Sequence, residues 1–203
     1  MKKINLLFIA LILSVSTFAQ VEVAPFVGYM FGGSMNFYEG KYKVSDGMDY
    51  GVSLIVPVRQ VMDVEVNYTR MDGDGRFNAY AGHGITDKET PMSTNYFQIG
   101  GLKALSLSNP QIRPFGSFSV GATWFDMDNY DDRVLFSATM GLGAKIMITE
   151  RIGIMVRGRL MLPMFFGGVG FYAGSGGSGL TLNSYAALVQ GDFNGGLIFK
   201  LGN

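Results

Sequence analysis

Between Val134 and Leu162 the chain alternates. Val134, Phe136, Ala138, Met140, Leu142, Ala144, Ile146 and Ile148 are apolar, while Leu135, Ser137, Thr139, Gly141, Gly143, Lys145, Met147 and Thr149 between them are mostly small or polar. After Thr149-Glu150-Arg151 the alternation resumes, with Ile152, Ile154, Val156, Leu160 and Leu162 on one face and Arg157 and Arg159 on the other. A strand turns successive side chains to opposite faces, so the pattern predicts two long half-buried strands joined by a very short turn. Strands in globular proteins commonly run about 5–6 residues, whereas a tilted membrane-crossing strand needs about 9–11. Both strands exceed the second figure. A lipocalin-type barrel also alternates, with its apolar face inward. Here the second face is small and charged, which suits the narrow, side-chain-filled bore of eight strands, and the apolar face is assigned to lipid.

The same reading places further strands at Val21–Gly33, Tyr50–Val58, Met62–Thr69, Asn95–Leu107, Ile112–Phe125 and about Ala187–Leu201. The alternation slips around Gly100-Gly101, which predicts a bulge there. Trp124-Phe125 reads as part of an aromatic girdle. Connections after the second, fourth and sixth strands are a few residues long. Those after the first, third, fifth and seventh are mostly long and polar: Ser34–Asp49, Met71–Thr94, Asp126–Asp132 and the glycine-rich Pro163–Leu182, read as a mobile loop. Short turns on one side and long loops on the other are the arrangement of bacterial outer-membrane barrels. The expected fold is therefore all-β, an eight-stranded antiparallel up-and-down transmembrane β-barrel, forming one domain over residues 20–203.

The first residues read as an export signal. Lys2 and Lys3 precede a short apolar core, Leu6 to Leu13, and Thr17-Phe18-Ala19 offers small residues for cleavage after Ala19. That core is shorter than the roughly 20 residues a helix needs to cross a bilayer. Removing 19 of the 203 residues leaves 184, with two fewer lysines than the 16 basic residues of the whole chain against 16 acidic ones. That balance lacks the basic surface expected of a nucleic-acid partner. Cysteine is absent, so an exported chain must draw its stability from the fold itself. The 16 Phe and 10 Tyr argue against disorder, and suit interfacial girdles.

Few residues invite chemistry. His83 lies in the second outside loop, with Asp87 and Ser93 near it in sequence, but a nucleophile and base must be held about 3 Å apart, and neighbouring loop positions do not ensure that. Asp126 to Asp132 (DMDNYDD) has Tyr130 and Asp131 where a calcium loop of the EF-hand type needs an oxygen ligand and glycine. It reads as a solvated acidic loop, with weak divalent-cation binding next to lipopolysaccharide as the alternative. Gly167 to Gly179 lacks the Lys-Ser/Thr ending of a phosphate loop. No catalytic residue, metal site or cofactor is expected. The expected lumenal charge network is Asp63, Glu65, Lys103, Arg113, Lys145, Arg157, Arg159, Asp192 and Lys200. It reads as paired charges plugging a narrow bore, with a polar pore as the alternative.

VEVAPFVGYMFGG after an AQ cleavage site, DYGVSLIVPV, VEVNYTR, RPFGSFSVGATWF and the ending GGLIFKLGN resemble the small outer-membrane β-barrel domains of Bacteroidetes, cousins of the OmpX/OmpW/OmpA-type eight-stranded barrels. The resemblance covers nearly all of the chain after the signal. It implies the fold and an outer-membrane location, and little about activity. Many such barrels end on an aromatic residue; here the last aromatic is Phe199, displaced inward. The function expected is a non-enzymatic structural or accessory role, as a subunit of a larger outer-membrane complex. The alternatives are a narrow channel for small or hydrophobic solutes and a lipid-modifying enzyme. The partners expected are outer-membrane lipid and lipopolysaccharide, the barrel-assembly machinery during biogenesis, and other outer-membrane proteins.

Overall fold

A computed structural model describes residues 21–36, 40–58, 62–80, 86–105, 111–127, 133–174, 177–186 and 188–201. All regular structure among them is strand: β1 (Val21–Phe31), β2 (Ser34–Asn36), β3 (Gly40–Val44), β4 (Gly47–Val58), β5 (Met62–Ala79), β6 (Lys88–Ala104), β7 (Ile112–Met127), β8 (Arg133–Met147), β9 (Ile152–Gly174), β10 (Gly177–Ala186) and β11 (Gln190–Leu201). Eight of these close on themselves. β1 pairs with β4 on one side and with β11 on the other, and β4-β5-β6-β7-β8-β9-β11 completes the circuit. Every pairing is antiparallel. A closed sheet has no free edge, so each wall strand is paired on both of its sides.

The alternation read from Val134 to Leu162 has its physical cause here. Val134, Met140, Leu142, Ile146 and Ile148 of β8 and its turn are exposed, as are Ile152, Ile154, Val156 and Leu160 of β9. Ser137, Thr139 and Lys145 point inward and are buried, with Met155, Arg157, Arg159 and Met161 of β9. The turn between them is closed by Ile148 N–H and Thr149 N–H, both donating to Ile152 O, and by the Thr149 hydroxyl oxygen, which accepts from Ile152 N–H at 2.9 Å.

Three expectations are corrected. Gly100-Gly101 is not bulged: Gly100 pairs with Glu65 and Ser119, and Gly101 with Val64 and Phe118, in continuous register on both sides. The glycines carry no side chain to mark the phase, which made an unbroken strand look slipped. Trp124 faces out beside Tyr68, with ring centroids 6.3 Å apart, but Phe125 turns inward and is buried. The strands also run past the barrel wall. β5 and β6 stay paired to Phe77 and Lys88, inside the segment read as loop. β9 continues to Gly174 and β10 pairs back along it, so the described part of the glycine-rich Pro163–Leu182 is paired strand, where a loop was expected. The β2-β3 hairpin likewise extends the wall, through β3 pairing with β5.

Candidate functional site: a layered, charge-filled bore

The inside of the barrel is stacked in layers. At the end of the barrel with the short turns lies a cavity of about 290 Å³ bordered by Glu22, Asp63, Arg113, Lys145 and Lys200, with Leu102 and Phe115 behind them. Lys145 Nζ donates to Glu22 Oε2 at 2.7 Å and to Asp63 Oδ2 at 3.1 Å, and Lys200 Nζ stands 3.9 Å from Glu22 Oε1. Above the cavity Ala24, Ile55, Leu102, Phe115, Met155 and Ile198 form a buried apolar layer.

The central layer is polar. Arg157 Nη1 donates to Glu65 Oε1 at 2.5 Å, its Nε to Asn194 Oδ1 at 3.0 Å and its Nη2 to Ser53 Oγ at 3.1 Å. Arg159 binds both carboxylate oxygens of Asp192 and donates from Nη1 to Asn67 Oδ1 and Thr69 Oγ1 at 2.9 and 3.0 Å. The Phe26 ring lies 4.8 Å from Arg157 Cζ and 5.1 Å from Arg159 Cζ, so a cation–π face closes what the hydrogen bonds leave open. Gln98 of β6 donates to Thr139 Oγ1 at 2.6 Å and to Ser137 Oγ at 3.2 Å on β8. The planar guanidinium fork suits this place: several donors leave one long side chain in fixed directions, and each finds an oxygen.

A second apolar layer covers the centre. Met30, Val44, Met71, Met92, Tyr96, Phe125, Met161 and Leu188 are buried together, with Tyr42 and Leu135 packed on them. Tyr96 donates its hydroxyl to Gln190 Oε1 at 2.5 Å, from β6 to β11 on the opposite wall.

Of the charges expected in the lumen, Asp63, Glu65, Lys145, Arg157, Arg159, Asp192 and Lys200 come into the bore, in two groups separated by the lower apolar layer. Arg113 borders the cavity at the short-turn end and is exposed. Lys103 does not join them: it is exposed, on the outer face with Phe118 and Leu142. Its misplacement follows from the phase lost at Gly100-Gly101. Two lumenal carboxylates escaped sequence reading. Glu22 lies opposite in phase to Val21 and Val23, and that alternation marks it. Asp49 shares the phase of Ser53 and Ile55 but sat in a segment read as loop. Asp49 is fully buried 3.7 Å from Arg159, and neither carboxylate oxygen has a hydrogen-bond partner among the described residues.

The enzymatic constellation is not assembled from described residues. His83 lies outside them. Asp87 accepts a hydrogen bond from Ala79 N–H at 2.9 Å, whereas Ser93 is buried and accepts from Asn95. Of the acidic stretch Asp126–Asp132, residues 128–132 also lie outside them.

Outside the wall, Val27, Leu54, Ile99, Phe118, Leu142, Ile154, Val156, Phe193 and Leu197 are exposed and apolar on seven of the eight wall strands. Tyr29 and Phe31 meet edge-on with ring centroids 5.4 Å apart, and Tyr50 donates its hydroxyl to Asp72 at 3.0 Å. Just beyond that aromatic margin Arg70 Nε donates to Asp72 at 2.8 Å, and this bond holds the Asp72 carboxyl below its ordinary range.

No family model matches the sequence, and no curated protein matches it. In three dimensions the barrel superposes on Neisserial surface protein A with a TM-score of 0.62 at 12% identity, covering 90% of this chain and 98% of that one. It superposes on the outer membrane protein OprG from Pseudomonas aeruginosa with a TM-score of 0.63 at 12% identity, covering 91% and 97%. The fold is that of the small outer-membrane β-barrels. A major outer membrane protein from Thermus thermophilus follows at a TM-score of 0.53 and 12% identity, covering 88% and 99%. At such identity the likeness is one of fold, and the activity must be argued from this chain's own residues.

Proposed function

We propose that this chain is an integral outer-membrane barrel with a structural or accessory role, whose interior is a plug and not a conduit. The observation that carries the reading is the bridge from Arg157 to Glu65, which crosses the bore between opposite walls. Two apolar layers flank it. A narrow channel would require that bridge and both layers to part together, stranding buried charges at a cost of several kcal/mol. The outer belt of apolar side chains and the wall strands of 11 residues or more support a membrane-spanning placement. Export directed by residues 1–19, cleavage after Ala19 and insertion by the barrel-assembly machinery belong to the same proposal, as does contact with lipopolysaccharide and neighbouring outer-membrane proteins through the strand arms that extend past the wall. Cell fractionation with a gel run before and after boiling tests it. Recovery in the outer membrane, with a mobility change on boiling, is expected. Recovery in the periplasm without detergent contradicts it.

A further inference from the structure

The outer wall carries a groove of about 1,070 Å³, larger than the cavity at the short-turn end and lined mainly by apolar atoms. Its shape comes from glycines. Strand register puts Lys103 beside Gly116, Gly116 beside Leu142, Leu142 beside Gly158 and Gly158 beside Phe193, a row that crosses β6, β7, β8, β9 and β11. Gly101 and Gly191 lie in the neighbouring row of the same groove. These outward glycines differ from the inward ones. At Gly121 and Gly51 a Cβ would collide with the carbonyl oxygens of Phe97 and Tyr68, so close backbone approach demands glycine there. At Gly116 it would meet only Leu142 Cδ2 at 3.7 Å, and at Gly158 only Phe193 and Asp192 O at 3.5 Å or more. Nothing within the barrel requires glycine at either place. What glycine achieves there is a depression in a surface otherwise studded with Leu, Phe and Ile.

The groove has a direction. Lys103 is next to the last residue of β6 at the short-turn, periplasmic end, whereas Gly158 and Phe193 flank Arg159 and Asp192 of the central layer, partway up the wall. Four strand spacings of ~4.8 Å give the row a length of roughly 19 Å. That exceeds the ~15 Å of hydrocarbon in one leaflet of a ~30 Å core, enough for a whole acyl chain laid obliquely. Lys103 is exposed on this lipid-facing side and has no ion pair among the described residues. A cation at the membrane boundary needs an anionic or polar partner, and its stem can lie along the groove while its ammonium reaches the headgroup level.

We propose that this groove binds one phospholipid of the periplasmic leaflet, with its phosphate at Lys103 and an acyl chain along Gly116 and Gly158. The proposal rests on the membrane-spanning reading and adds to it a defined lipid site. Mass spectrometry of the intact protein released from mild detergent, after supply of phosphatidylglycerol or of diacylglycerol with the same chains, tests it. One phosphatidylglycerol retained per barrel is expected, with diacylglycerol retained at least tenfold less. Gly158→Leu fills the groove and should lower phosphatidylglycerol retention at least tenfold. Lys103→Gln should bring it down to the level of diacylglycerol. The gel mobility change on boiling reports folding of each variant separately. If Gly158→Leu does not fold, Gly116→Val fills the same groove, and Lys103→Gln disturbs no packing. Equal retention of the two lipids, retention indifferent to these variants, or a lipid-free dimer that Gly158→Leu dissociates overturns the proposal. In each of those cases the barrel still inserts. A chain that stays in water without detergent would instead refute the membrane-spanning reading.

Discussion

Arg157 of β9 and Glu65 of β5 meet across the full width of the barrel, from strands four places apart whichever way the wall is followed. In an eight-stranded barrel those are opposite walls. Both side chains are buried, Arg157 almost completely (side-chain exposure 1%, against 6% for Glu65). A bore spanned by one ion pair, with Asn194 and Ser53 holding the other faces of the guanidinium, has no clear path through its centre.

Removing one member of that pair strands the other. Arg157→Ala should lower stability by about 3–5 kcal/mol, measured by urea unfolding in lipid vesicles. Adding Glu65→Gln should recover part of that loss, and the double-mutant cycle should show coupling between the two sites. Independent, additive losses would mean that the contact contributes little.

The three carboxylates of the central layer are not equivalent. Asp192 is gripped by Arg159 through both oxygens, whereas Asp49 lies 3.7 Å from Arg159 with neither oxygen hydrogen-bonded among the described residues. Three carboxylates also face only two guanidinium groups. Asp192→Asn should therefore cost about 3–5 kcal/mol. Asp49→Asn removes the excess acid and should stay within about 1 kcal/mol of the parent, or stabilise it. The same unfolding measurement ranks them, and the reverse ranking would refute this account of the layer.

The two faces of the wall can be told apart by charge. Ala144 points outward between exposed Leu142 and Ile146. Ala144→Arg should cost about 2–4 kcal/mol if the site lies near mid-membrane. Unchanged stability in vesicles would place Ala144 away from hydrocarbon.

Much of this was legible in the sequence, and the reason is physical. Along Val134–Leu162 and Met62–Thr69 one face meets a polar interior and the other an apolar exterior, so each residue reports its side. The reading failed where that contrast disappears. Gly100-Gly101 has no side chains to carry phase, which turned Lys103 inward and produced a bulge that does not exist. Past the aromatic margin the outward side chains of β5 turn polar, with Asp72, Asp74 and Arg76, and β9 runs into glycines, so hydrogen-bonded strands there show no apolar–polar contrast and were read as loop. Phe125 shows a subtler failure: an aromatic next to Trp124 reads as girdle, while strand alternation alone sends it inside. The inward phase of Asp63 and Glu65, across a narrow bore from Arg157 and Arg159, was legible in the alternation; which carboxylate Arg157 takes was not, because that depends on how the wall closes.

The central claim is that the bore is shut by its own side chains. Current recorded across a planar bilayer holding the purified protein tests it most directly. The account predicts no steady single-channel conductance above the bare membrane from a barrel whose gel mobility shows it folded. Regular, reproducible conductance steps from that folded protein would contradict it, and would mean that the Arg157–Glu65 bridge and the two apolar layers open together.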